Sequence, residues 1–206
     1  MADAVFGGAE KYPWRRLCRH AHADIVSART STTFRNGAPN IMRSEDVLSY
    51  LERHGITART YEHAPVHTVE ESRELRGDIP GVHTKNLFLR DGKKRFFLVV
   101  VSEERRVNLK ALAPLIGARG GLSFGSPDAL MQTLGITPGS VSLLAAVNDS
   151  EKHVTIVLDD ALLKASLVNC HPLSNQLTTS LSPDGIAAFL SATGHVPLHI
   201  SFADDE

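Results

Sequence analysis

Cysteine is nearly absent: Cys18 and Cys170 are the only two in 206 residues. They lie in unrelated contexts, which excludes a disulfide framework and fits a reducing compartment. Long hydrophobic runs are missing too, and nothing approaches the roughly 20 apolar residues of a membrane span. Residues 1 to 40 hold no apolar core of a secretory leader. Arg15, Arg16, Arg19, Arg29 and Arg35 stand there among Ser and Thr, as in a transit peptide, but Asp3, Glu10 and Asp24 run against that reading. A cytoplasmic protein is expected. Charge of one sign is also lacking. A formal net charge of −1 excludes a protein that coats duplex nucleic acid through bulk charge.

Several catalytic signatures are absent as well. Neither C-x-x-C nor H-E-x-x-H occurs among the ten histidines and two cysteines. His63 and His67 are spaced for one helix face, but Pro65 stands between them. No metal or other cofactor is expected. There is no G-x-S-x-G, and Cys170 beside His171 is a neighbour pair that triad geometry does not require. Cys170 reads as a small core residue. The stretch GARGGLSFGS lacks the lysine and spacing of a P-loop and reads as a loop feeding a helix at Ser126.

What is present describes a globular domain, with 42% apolar and 22% charged residues. Residues 1–41 show no sustained period and are expected to form a disordered extension. Residues 42–202 carry consistent signals, and 203–206 form an acidic tail. Ser44 is the expected N-cap of a helix with Val47, Leu48 and Leu51 on one stripe and Gly55 at its end. A strand follows over 56–62, and Thr68 with Glu71 has capping-box spacing for a short helix to Leu75. Asn108 should cap a helix bearing Leu109, Leu112 and Leu115. Ser126-Pro127-Asp128 and Ser182-Pro183-Asp184 open two more, ending near Gly135 and Gly194. Strands are expected over 141–147 and 153–158, joined at Asn148-Asp149. The pattern is α/β or α+β: helices around a mixed, mostly antiparallel sheet, not a doubly wound parallel one.

Residues 81–101, GVHTKNLFLRDGKKRFFLVVV, read as a hairpin turning at Asp91-Gly92, with Phe96–Val101 as a central strand covered on both faces. One residue does not fit. Alternation puts Lys85 on the face of Leu87 and Leu89, where a lysine is seldom placed without a partner. From Gly81 to Gly120 nine basic residues face three acids, a local excess that suits an anionic ligand or a solvated hairpin tip. Two polar clusters stand out: His83-Thr84-Lys85-Asn86, and Asn169-Cys170-His171-Pro172 with Ser174, Asn175, Thr178 and Thr179 after it. Such residues also satisfy backbone groups in loops, and their types alone do not decide between the two roles.

The segments TVEESRELRGDIPGVHTKNLFL, RRVNLKALA, LSFGSPDALMQTLGITPGSV and VNCHPLSNQLTTSLSP, in this order, resemble the YbaK/ProX family of aminoacyl-tRNA editing domains. The similarity spans about Ser44 to Ile200 and is closest to the alanyl-tRNA(Pro) deacylase branch, the prolyl-tRNA synthetase-associated domain. It implies one compact, mixed α/β, barrel-like domain that hydrolyses alanine from mischarged tRNA(Pro). By the same resemblance Lys85, Asn86 and Gly139 are the catalytic positions, and Ser140, Val141, Leu143, Asn169 and His171 contact substrate. The family's G-x-x-x-P loop falls on Gly139-Ser140-Val141-Ser142-Leu143, where leucine replaces the terminal proline. That departure leaves open a deacylase for cysteine or serine, and a tRNA-binding module without activity is the alternative from another class. The implied partners are the acceptor end of tRNA, with prolyl-tRNA synthetase or other translation factors beside it.

Overall fold

Three caps expected from the sequence set the helices, in a computed structural model that describes residues 41–63 and 79–202. Asn108 Oδ1 accepts from the Lys110 and Ala111 N–H groups and opens α2 (Leu109–Leu115), the second helix in chain order. Ser126 Oγ accepts from Ala129 N–H at the start of α3 (Pro127–Leu134), and Ser182 Oγ accepts from Gly185 N–H at the start of α4 (Pro183–Ala192). Each of the latter two carries proline at its first position, where no N–H is needed. Helix α1 (Ser44–Arg53) starts one residue earlier than expected. Ser44 is already helical and Arg43 is the cap; the Asp46 carboxylate reaches back to the Arg43 N–H at 2.9 Å. Its apolar stripe is confirmed, with Val47 and Leu51 buried. In α2 the stripe is shorter than expected: Leu112 is buried but Leu115 is 57% exposed.

Eight strands form one mixed sheet: β1 (Ala58–Glu62), β2 (Val82–Asp91), β3 (Phe96–Ser102), β4 (Leu122–Phe124), β5 (Val154–Asp159), β6 (Val168–Cys170), β7 (Leu177–Leu181) and β8 (Leu198–Ile200). The order is β1-β7-β6-β2-β3-β5-β8, with β4 attached to β2. Pairs β1–β7, β6–β7, β2–β3 and β2–β4 are antiparallel; β2–β6, β3–β5 and β5–β8 are parallel. Central strand β3 is buried on both faces, as its continuous apolar run predicts. Even-numbered residues of β2 and β3, such as Phe88, Leu98 and Val100, face a large core closed by α1, α3 and α4. Odd-numbered ones, such as Leu89, Phe97, Val99 and Val101, face a smaller core beneath Leu112 and Ile116.

Two expectations are corrected. Residues 141–147 are not a strand; Leu143–Asn148 form a 3₁₀ helix capped by Ser142. The run Leu-Leu-Ala-Ala-Val is apolar all round, which periodicity alone cannot assign. The glycine-rich stretch is more than a loop, since Leu122–Phe124 pair with β2. The capping box at Thr68 and Glu71, and the expected extension and tail, lie outside the described residues. Among the described residues no helix is long and apolar enough to cross a membrane.

Two buried carboxylates fasten the turns. Asp91, 2% exposed, accepts from Lys93, Arg95 and Arg119 main-chain N–H groups and from the Arg95 guanidinium at 2.7 Å. Burial alone would raise its pKa, but these donors outweigh it and hold the carboxyl well below the usual carboxylate range. Asp149 accepts from His153 and Val154 N–H at 2.9 and 2.8 Å and meets His195 Nε2 at 3.4 Å, joining the start of β5 to the residues after α4. Here too burial raises the pKa, and the hydrogen bonds from His195, Val154 and His153 lower it further than burial lifts it. A depressed native pKa means stability that is complete above the unfolded carboxylate value of about 4 and lost as pH falls through the native one. Asp149→Ala should therefore cost roughly 2–4 kcal/mol at neutral pH by leaving buried donors unpaired. Urea unfolding of both proteins at pH 7 and in acid should show that difference shrinking in acid; an equal difference at both pH values would contradict the assignment.

Candidate functional site

Strand β2 has ten residues and three neighbours, and the site follows from how its edges are shared. Its inner edge pairs with β3 from Thr84 to Arg90. Its outer edge pairs with β6 at Val82 and His83 and with β4 from Leu89 to Asp91. No residue from Thr84 to Phe88 has a strand partner on the outer edge among the described residues. The direction of each peptide is fixed by its bonds. Val82 N–H donates to Leu167 O and Phe88 O accepts from Gly125 N–H, both outward. His83 O accepts from Glu103 N–H and Asp91 N–H donates to Arg95 O, both inward. Strand alternation then turns the N–H and C=O of Asn86 outward, into the gap between β6 and β4.

Side chains around this gap divide by face. On the face of Leu87 and Leu89 stand Lys85 and His83, and the register continues it to Asn169 on β6, to Ser180 and Thr178 on β7, and to Tyr61 on β1. The sheet face that is apolar at β3 turns polar at the start of β2 and stays so through β6 and β7. Asn169 is 2% exposed and bonded throughout: its amide nitrogen donates to Pro80 O at 3.2 Å and approaches His83 Nε2 at 3.2 Å, and its oxygen accepts from Ser180 Oγ. It holds β2, β6 and β7 together, a positioning role. His171, just past β6, has Nδ1 at 2.9 Å from Leu177 O. A carbonyl only accepts, so Nδ1 carries the proton in this contact. His63, after β1, reaches Thr178 Oγ1 through Nε2 at 2.9 Å and meets the His171 ring edge to face at 6.4 Å. Sequence analysis named Thr178 only within a polar run and weighed His63 only as a metal ligand. The alternation Thr178-Thr179-Ser180 was a signal, because a buried strand with hydroxyls on both faces needs polar partners on both.

Asn86 and the glycine loop belong to the other side. Asn86 lies on the face of Phe88, and its buried Oδ1 has no hydrogen-bond partner among the described residues. Val141 and Leu143 pack in the large core on that side. Gly139 is exposed with φ +91°, open to main-chain approach, since even an added Cβ there would meet nothing within 4 Å. Ser140 is half-buried beside it, and Ser142 Oγ accepts from Leu144 N–H at 3.2 Å. The fold thus gathers Lys85, Asn169 and His171 on one face, and sets Asn86, Val141 and Leu143 on the other. Cys170 is 1% exposed, with Thr84 Oγ1 at 3.8 Å from its sulfur. Burial pushes its thiol up to about 11, so at neutral pH it is an inert core residue, as expected.

The sequence pattern of the aminoacyl-tRNA editing domain matches residues 63–189. The chain belongs to the aminoacyl-tRNA editing domain family. It is 37% identical over 182 residues to the zebrafish (Danio rerio) prolyl-tRNA synthetase associated domain-containing protein 1, covering 87% of this chain and 98% of that one. It is 38% identical over 152 residues to the prolyl-tRNA editing protein ProX of Acetoanaerobium sticklandii, covering 72% and 91%. A solved structure described as a "putative trans-editing enzyme for prolyl tRNA synthetase" superposes with a TM-score of 0.60 at 21% identity, over 78% of this chain and 97% of that one. That likeness shows the mixed α/β editing-domain fold.

In this editing domain the anomalous lysine has a measurable signature. Lys85 is half-buried opposite Val101 and forms no salt bridge among the described residues. Burial lowers its pKa, and the nearby Glu103 charge partly restores it. NMR titration of the Lys85 ammonium should give a pKa below the ordinary lysine value of about 10.4, and Glu103→Gln should lower it further. A Lys85 value at the ordinary lysine level would contradict the burial described.

Proposed function

We propose that this editing domain hydrolyses the aminoacyl ester of mischarged tRNA, with Ala-tRNA(Pro) as its substrate. The observation that carries the reading is the interval of β2 at Lys85-Asn86 that has no outer strand partner among the described residues, where an ammonium without a salt bridge among those residues and an outward main-chain N–H stand at neighbouring positions. An aminoacyl ester is already activated, so its cleavage needs donors for the developing oxyanion and an oriented water or ribose hydroxyl more than a protein nucleophile. Lys85 supplies a compact charge for the oxyanion or the terminal phosphate, and Asn86 N–H a neutral donor. The bare Oδ1 of Asn86 suits the α-ammonium of the amino acid, which brings only donors. Gly139 and Ser140 offer main chain at the loop.

Leu143 bears on the choice of amino acid. Its side chain is fully buried in the core, so replacing proline there changes the loop's support and not the surface a substrate would touch. The departure at Leu143 is then no ground for preferring cysteine or serine to alanine. Such a domain complements a synthetase pocket sized for proline, because missing methylenes are worth only about 1–3 kcal/mol each and cannot exclude alanine. A smaller second pocket rejects proline by size.

The test offers Ala-, Cys-, Ser- and Pro-tRNA(Pro) to wild type, Lys85→Ala and Lys85→Arg under single turnover. Ala-tRNA(Pro) should be hydrolysed and Pro-tRNA(Pro) spared. Lys85→Ala should lose on the order of 10²–10³ in rate, and Lys85→Arg should also fall while tRNA binding persists. No Lys85-dependent hydrolysis of any substrate would leave a tRNA-binding module without activity. Hydrolysis of Cys- but not Ala-tRNA(Pro) would overturn the alanine reading.

A further inference from the structure

Phe124 is the most exposed aromatic side chain among the described residues, at 66%, and it ends the short strand that borders the gap. Its exposure is not what its neighbours predict. Leu89, directly opposite on β2, is fully buried, and Leu122, two residues earlier on the same face, packs in the smaller core. Phe124 stands beyond the rim of that core. The segment carrying it is nevertheless fixed. Gly125 N–H donates to Phe88 O at 2.9 Å. A Cβ on Gly125 would lie 2.4 Å from the Phe88 ring, so the chain presses against that ring directly. Ser126 then caps α3. An aromatic ring held outward on a pinned strand loses little freedom when it binds.

Its surroundings are cationic. Gly92 N–H donates to Arg119 O at 2.8 Å and Arg119 N–H to Asp91 at 3.0 Å, so the β2–β3 turn and the segment leading into β4 form one corner. Lys93, Lys94 and Arg119 are exposed there, while Arg90, opposite Ser123, is exposed on the other face of the sheet. The corner's own carboxylate, Asp91, is buried and already neutralised by Arg95. From Gly117 to Leu134 the only acid is Asp128. Exposed cations beside an exposed aromatic suit a single-stranded nucleic acid, whose phosphates and base faces they meet together.

Register sets the reach. Leu89 is four residues from Lys85 on the same face, about 13 Å along the strand. A stacked strand advances about 3.4 Å per nucleotide, so about four nucleotides span that distance. We propose that Phe124 is a stacking platform for an unpaired base about four positions in from the acylated end, with the Lys93/Lys94/Arg119 corner receiving the adjoining phosphates. This inference rests on the deacylase reading, and its test is chosen to separate the two.

The experiment compares wild type, Phe124→Ala and Phe124→Trp on full-length Ala-tRNA(Pro) and on 3′-alanyl-adenosine, which lacks the preceding nucleotides. Phe124→Ala should lose roughly 5- to 100-fold in kcat/KM on the tRNA, chiefly in KM, with no change on alanyl-adenosine. Phe124→Trp should restore it. A parallel arm needs no hydrolysis: a short single-stranded RNA ending in CCA, carrying 2-aminopurine in place of the fourth base from its 3′ end, should be quenched by wild type and not by Phe124→Ala. Quenching without turnover would sink the deacylase reading and keep this one. Equal losses on both substrates, no loss on either, or quenching that survives Phe124→Ala would overturn the platform, the last two pointing instead to a protein partner.

Discussion

A β-strand has two hydrogen-bonding edges, and the editing domain depends on how β2 divides its outer one. Pairing with β6 at Val82 and His83 and with β4 from Leu89 onward leaves Thr84 to Phe88 between them. Had β6 or β4 been a few residues longer, the ladder would have closed over Asn86 and Lys85. Several other features act on that interval. Asn169 fixes β6 against β2 through Pro80 and His83, Asp91 fixes the turn that aligns β4, and Gly125 lets β4's exit lie against Phe88. An opening in a sheet is costly where main-chain groups are cut off from both water and partners, so an interval kept open on one edge is a natural place for a ligand with complementary donors and acceptors.

The electrostatics agree with this picture. The strongest cation of the turn, Arg95, is bound to a buried carboxylate and belongs to the fold. Lys85 is different: it is desolvated, its pKa is lowered by burial, and Glu103 compensates only in part. A lysine in that state gains from an anionic ligand that replaces lost water. Among the histidines of the polar face, His171 meets a main-chain carbonyl, which accepts only and so sets the proton on its Nδ1.

Local signals in the sequence carried much of the fold. The hairpin, the caps at Asn108, Ser126 and Ser182, and the buried Cys170 all depend on residues within a turn or two of one another. The anomaly of Lys85 was legible from alternation alone, although its role came from resemblance. Long-range facts were not legible. Nothing in VNC or LTTSL says that β6 lies parallel to β2 and antiparallel to β7, yet that pairing makes the polar face. His63 and His171 are brought ring to ring across 108 positions by the same pairings. The run from Leu143 became a 3₁₀ helix because Ser142 caps it and the core covers every side, a choice made by tertiary packing. Leu143 shows the limit of motif reasoning: a departure that seemed to alter the substrate pocket points its side chain into the core.

The central claim is that an aminoacyl terminus occupies the open interval of β2. Amide-linked 3′-alanylamino-adenosine, which cannot be hydrolysed, tests it by titration into the labelled protein with amide and side-chain NMR shifts as the readout. The account predicts saturable shifts at the Asn86 main-chain amide, the Lys85 ammonium and the His171 ring, with Gly139 and Ser140 moving at the same concentration and Lys93 and Lys94 unmoved. Saturable shifts that avoid Asn86 and Lys85, or confinement of all shifts to the hairpin tip, would contradict it.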